Sequence, residues 1–480
     1  DGPTLTYGAL RRMVQDASGR LASFGIKSED RVAMVFPNGP EAIVMFLAVA
    51  NVATACPMNP AYKESEFRFY LEDTGAKFLM TLPGDATEAR KALPEGSIVI
   101  EAQIDDAGRL ELTPLTPTLS PRVGRGRVRE PDEDAVALVL HTSGTTSRPK
   151  RVPLRHRNLV ASVRNIVEHY RLGPEDVSLC VMPLFHVHGL VASALSTLAS
   201  GGTVAVPRKF TPMMFWPAAR EVRPTWFSAS PTPHQLILMR SDGNHAPGTE
   251  RLRFVRSCSS ALSPELMAKM EERFGVPVLE AYGMTEASHQ MASNPLPPGE
   301  RIPGSVGQGT GIEIAILDEA GNALSTGTPG EVAIRGPNVI DGYENNPEAN
   351  RASFTNGWFR TGDQGTLDSD GYLRLLGRIK ELINRGGEKI APREIDEVLE
   401  SHPSVKEAVC FGVPHATWGE EVAAAVVVNE PITEKELQAY CRTRLAEFKV
   451  PNHIHIVDSI PRTPTGKVQR RFVAEQLSAR

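Results

Sequence analysis

The chain has 480 residues, 41% hydrophobic and 23% charged, with 52 basic against 57 acidic side chains and a formal net charge of -5. That length predicts a large composite domain plus at least one smaller one, and the mild acidity argues against a nucleic-acid groove or an anionic membrane surface as the main partner. Five cysteines, at 56, 180, 258, 410 and 441, are too scattered for a CxxC pair or a metal cluster and fit a reducing cytoplasm.

The opening DGPTLTYGAL lacks a signal-peptide pattern, and a short N-terminal piece is expected to precede it. Short β-rich runs, RVAMVF (31–36), KFLMTL (77–82), SIVIEA (97–102) and TVAVP (203–207), alternate with amphipathic stretches such as PEAIVMFLAVANV and NLVASVRNIVEHY. This alternation predicts βαβ units, hence an α/β fold with mainly parallel sheets flanked by helices. The apolar stretch 42–58 is interrupted by Asn51 and is too short for a membrane span; it reads as a buried helix running into a strand. Segment 112–134 is rich in Pro, Thr and Arg without periodicity and is expected to be a surface loop. The run GIEIAILDEAGNALSTGTPGEVAIRG, 311–336, predicts two strands of a small antiparallel sheet.

Near Gly377 the chain changes character. GRIKELINRGGEKIAPREIDEVLESHP leads into a compact α+β segment, so domains of 1–377 and 378–480 are expected. Pro392 suits the first turn of a helix carrying Ile395, Val398 and Leu399 on one face.

The strongest local signal for chemistry is HTSGTTSRPK, 141–150, directly after the apolar run AVALVL. Small hydroxyl residues and glycine after a strand let backbone N–H groups and hydroxyls close around phosphate oxygens, with lysine adding charge. The GK[ST] ending of a Walker loop is absent. A bare TSGTT is more often only a polar loop, but five further segments follow in order: PLFHVHG (183–189), EAYGMTE (280–286), WFRTGD (358–363), GRIKELINRGGEKI (377–390) and PRTPTGKVQR (461–470).

Together these six motifs resemble the adenylate-forming superfamily of acyl-CoA synthetases, luciferases and peptide-synthetase adenylation domains, over about residues 5–469. The resemblance implies an enzyme that uses ATP, Mg²⁺ and coenzyme A to turn a small carboxylic acid into an acyl-adenylate and then a thioester. It implies a phosphate loop of Thr142, Ser143, Gly144, Thr145, Thr146 and Lys150, and a nucleotide contact at Glu280, Ala281 and Tyr282 with the Tyr282 ring on adenine. Thr285 would touch phosphate, Glu286 would hold Mg²⁺, and Asp363 and Arg378 would hold the ribose hydroxyls. Lys467 would reach the reacting carboxylate and the α-phosphate, where a fixed positive charge is needed as negative charge builds up. A C-terminal domain turning at Lys380 would then replace Lys467 by RGGEKI, whose Gly386 and Gly387 admit the pantetheine thiol. His186 would sit between acyl pocket and thiol tunnel.

Two departures matter. Where the family loop reads TSGTTGxPKG, this chain has Ser147 and Arg151, the latter a bulky cation expected beside the loop. A glycine-rich turn at the floor of the acyl pocket is replaced by SCSSALSP, 257–264. Ser259, Ser260, His234, His289 and His188 make that end polar, which suits a second carboxylate better than an alkyl chain. The motif set is most similar to the oxalate–CoA ligase branch, with malonate or another short acid as the alternative. A carboxylate beside His289 is expected to favour its charged form. A luciferase would need a large apolar pocket, and a carrier-loading enzyme would be expected to have a carrier domain after Arg480 or a separate one.

Overall fold

The computed structural model describes residues 4–115, 131–142, 149–240, 248–462 and 468–478. Ser143, Gly144, Thr145, Thr146, Ser147 and Lys467 lie outside the described residues.

Among the described residues the strands form four sheets. The first has the spatial order Leu110–Pro114, Ile98–Ile104, Phe78–Thr81, Arg31–Val35, Thr54–Pro57, Val136–Thr142 and Lys150–Arg155. Its central pairs are parallel and its two edge pairs antiparallel. The second runs Gln308–Gly309, His289–Ser293, Val278–Met284, Phe254–Ser257, Trp226–Ala229, Val177–Leu179 and Thr203–Ala205. It is parallel until the return strand His289–Ser293. Central strands such as Trp226–Ala229 and Phe254–Ser257 are buried along their whole length, the expected state of strands with both faces covered.

The stretch 42–58 is a helix, Pro40–Ala50, followed by the strand Thr54–Pro57, and the helix is buried on almost every side. The strands Glu313–Leu317 and Gly330–Arg335 pair antiparallel in the third sheet, as their alternation predicts. Segment 112–134 departs from expectation at its start, because Leu110–Pro114 pairs antiparallel with Ile98–Ile104. Leu112 is buried between exposed Glu111 and Thr113, a period-two pattern hidden by the composition that follows.

Residues 383–454 carry a core of their own, in which Ile383, Ile395, Leu399, Ala424 and Leu437 pack between helices and the fourth sheet. Pro392 opens the helix Pro392–Glu400 at its first turn, and Ile395 and Leu399 are its buried stripe. Among the described residues no helix is long and apolar enough to cross a membrane.

Candidate active site

The conserved chemistry of an open α/β sheet gathers outside the carboxyl ends of its strands, and here the second sheet delivers Ser228, Ser259 and Tyr282 to that edge. The strand Val278–Met284 ends in a short turn, Thr285–Ala287, and returns as His289–Ser293. Ser288 and His289 sit at φ 52° and 111°, conformations that side chains other than glycine rarely hold and that cluster at functional sites.

At the nucleotide end the structure brings Tyr282, Asp363 and Arg378 together. The Tyr282 hydroxyl donates to the Asp363 carboxylate. Arg378 pairs with the other Asp363 oxygen at 2.8 Å and donates to the Thr361 carbonyl at 3.2 Å. Burial, reinforced by the Asp363 charge, pushes the Tyr282 phenol well above its usual range, so it remains a donor. Ala281, beside it, is fixed by pairing with Ser293.

Glu280 is fully buried. One of its oxygens accepts from the Leu262 N–H at 3.0 Å, and the other has no hydrogen-bond partner among the described residues. Burial pushes this carboxyl up to about 7, against the pull of Arg393. The folded value thus lies above the unfolded one, so stability is lost as pH rises from about 4 to about 7. Glu280→Gln should therefore be more stable than the parent at pH 8, by up to about 3 kcal/mol, and should lose that advantage near pH 4. Thermal unfolding of both proteins at the two pH values checks this; an equal difference at both would overturn it.

At the phosphate end Glu286 is buried and accepts from the Tyr343 hydroxyl at 2.8 Å and the Thr142 hydroxyl at 3.4 Å. Thr285, also buried, accepts from the Ser288 N–H through its carbonyl. The Lys150 ammonium lies over the Tyr343 ring, 4.4 Å from its centre. Burial lowers the Lys150 pKa, Glu286 opposes that shift, and Lys380 adds to it.

Arg151, the cation expected beside the loop, donates to the Asp73 carbonyl at 2.6 Å and pairs with the Asp73 and Glu344 carboxylates at 3.3 and 3.6 Å. Glu344 in turn pairs with Arg31, and His141 contacts Asp73 at 3.0 Å. His141 and Arg151 are ladder partners on the two strands that carry the loop. The cation that replaces glycine therefore braces the stem of the loop.

Gly386 and Gly387, at φ 62° and 97°, turn the hairpin between Ile383–Arg385 and Glu388–Ile390. A Cβ on Gly386 would stand 2.7 Å from the Trp418 ring, so that position has no room for a side chain.

At the acyl end the π-helix His188–Leu195, a rare winding often found at functional sites, carries fully buried His188. Its Nδ1 lies 2.9 Å from the Ser259 hydroxyl and its Nε2 2.6 Å from the Ser228 hydroxyl. The His188 and His289 rings stack 5.0 Å apart. His186 accepts from the His188 N–H at 3.2 Å. His234 lies elsewhere, donating to the Arg256 carbonyl at 3.2 Å and packing against Phe227; burial pushes its pKa down to about 4. Ser260 is exposed and Ser259 half-buried.

Arg256 completes this cluster. It is fully buried, and its guanidinium reaches His289 Nε2 at 3.0 Å, the Ser228 hydroxyl at 3.0 Å, the Tyr170 hydroxyl at 2.8 Å and Gln290 Oε1 at 3.0 Å. A guanidinium only donates, so His289 Nε2 accepts from it. An arginine inside the apolar strand FVRSC was the available signal for this residue.

The family model described as AMP-binding enzyme matches residues 1–344, and that described as AMP-binding enzyme C-terminal domain matches 394–467. The oxalate–CoA ligase of Arabidopsis thaliana is 49% identical over 98% of this chain and 93% of its own length. The sulfoacetate–CoA ligase of Cupriavidus necator is 37% identical over 98% and 92%. The crystal structure of ATP-bound MatB from Rhodopseudomonas palustris superposes with a TM-score of 0.88 at 31% identity, covering 98% of this chain and 93% of that one. With matches of this extent, the chain belongs to the AMP-binding enzyme family.

Proposed function

We propose that this protein is an ATP-dependent acid–CoA ligase whose acid is oxalate. One carboxylate oxygen of the acid forms a bond to the α-phosphorus of ATP as the bond to pyrophosphate breaks. The thiolate of CoA then forms the thioester as AMP leaves. In this reading Tyr282, Asp363 and Arg378, which meet one another, hold adenosine, and Lys150, beside Tyr343, holds phosphate charge. Glu286 would hold a magnesium ion, which supplies positive charge to the phosphate oxygens. A buried carboxylate suits that hard cation, and among the described residues no group of three His, Cys, Asp or Glu gathers, in keeping with an ion that draws its other oxygens from phosphate and water. Domains of 1–377 and 378–480 would turn at Lys380 between the two half-reactions, bringing the Gly386–Gly387 turn to the thiol. The Ser143–Thr146 loop and Lys467 act in the first half-reaction, His186 at the thiol's entry, and the cytoplasm is the expected location.

The observation that carries the acid is the Ser259–His188–His289 cluster in front of a buried guanidinium that has no carboxylate among its hydrogen-bond partners. The oxalate and sulfoacetate enzymes among the relatives both bear names of small dianions. A panel of short mono- and dicarboxylic acids with ATP, Mg²⁺ and CoA, followed by pyrophosphate release, tests the reading. Oxalate should give the highest kcat/KM, and His289→Ala and Ser259→Ala should each lose roughly ten- to a hundredfold on it while still binding ATP. A preference for malonate would favour that acid, a preference for acetate would remove dicarboxylates altogether, and turnover only with a carrier-protein thiol would replace CoA.

A further inference from the structure

Arg256 sits on the strand Phe254–Ser257 directly across from Ser228 on Trp226–Ala229, so the two side chains share one face of the sheet. Its hydrogen-bond partners among the described residues include no carboxylate: they are Tyr170, Ser228, Gln290 and the two histidines, with the Cys258 thiol beside them. A buried charge without a counter-ion is expensive and is ordinarily paired. Gln290 makes the omission conspicuous, because its Oε1 takes three donors, from Arg256 and Tyr170, while its buried Nε2 has no hydrogen-bond partner among the described residues. A glutamate there would keep the three bonds, remove the stranded donor and neutralise the guanidinium.

Hydrogen-bond direction adds the second element. Arg256 can only donate, so the Ser228 oxygen accepts from it at 3.0 Å and His188 Nε2, which it reaches at 3.4 Å, is an acceptor as well; Ser228 therefore turns its own hydrogen toward His188 Nε2, 2.6 Å away. His188 then carries its proton on Nδ1 and donates to Ser259 at 2.9 Å. The Ser259 oxygen thereby accepts from His188, and its hydroxyl hydrogen can be given to an outside oxygen.

We propose that Arg256 is the positioning residue of the acyl site: through Ser228 and His188 it fixes Ser259 as a donor, and its unneutralised charge selects a small acid bearing two negative charges. This rests on the assignment of the acyl site to Ser259 and His289.

Gln290→Glu neutralises the charge in place, and Arg256→Met removes it at similar volume. For both variants and the parent, kcat/KM would be measured by pyrophosphate release for oxalate and for glyoxylate, a monoanion of similar size, together with KM for ATP. The expected result is a loss of roughly ten- to a hundredfold on oxalate, a much smaller loss on glyoxylate, and a KM for ATP within about twofold of the parent. Should Arg256→Met fail to fold, Gln290→Glu decides alone, since it leaves no cavity and strands no donor. If the parent prefers oxalate and Gln290→Glu keeps that preference, the role of Arg256 is overturned while the acid assignment stands. If the parent itself shows no preference for the dianion, both fall.

Discussion

Glu286→Gln is expected to lower turnover at saturating Mg²⁺ by a factor of roughly 10² or more, the scale of one lost transition-state charge contact. The substitution is chosen to leave the surroundings intact. The oxygen that accepts from Tyr343 at 2.8 Å and Thr142 at 3.4 Å survives in glutamine, so the fold around the site is kept and only the charge goes. The bland alternative is that this buried acid is structural, satisfied by those two hydroxyls. That alternative predicts near-normal pyrophosphate release with a small change in stability. Titrating Mg²⁺ against both proteins separates the two, and near-normal activity at saturating metal would sink the assignment.

Lys467→Ala should abolish adenylate formation while leaving transfer of a presynthesised oxalyl-adenylate to CoA largely intact. Attack of a carboxylate on the α-phosphorus needs a fixed cation where charge builds up on the phosphate, whereas the thiolate attacks the acyl carbonyl carbon, away from that phosphorus, in the second arrangement, where Lys467 is not used. Measured separately, the half-reactions should differ by a factor of roughly 10² or more in their response. Equal loss of both would exclude alternation between two arrangements of the C-terminal domain.

Much of the fold was legible because its strands are apolar runs and its helices amphipathic, as with the helix Pro40–Ala50 and the strand Thr54–Pro57. The meeting of Tyr282, Asp363 and Arg378 was legible because each sits in one of the motifs that carry the family resemblance. Partners that approach from afar in sequence left no such trace. Tyr343 meets Glu286 across 57 positions and Arg256 meets Tyr170 across 86, so neither falls within any motif window. What Arg151 binds was not legible, because its β-ladder partner His141 and the acidic pair behind it become neighbours only once the first sheet has formed.

Lys380 stands between two ion pairs, Arg378 with Asp363 at 2.8 Å and Glu381 with Arg470 at 3.1 Å. Whatever turning occurs between them is therefore a torsion problem with few variables, the backbone dihedrals of Ile379 and Lys380. In the proposed rotation Arg393, bonded to the Leu375 carbonyl at 3.0 Å, would be a detent that disengages before the angle changes. Such a joint would behave like a pinned axle, its precision coming from the two clamps on either side of the pivot.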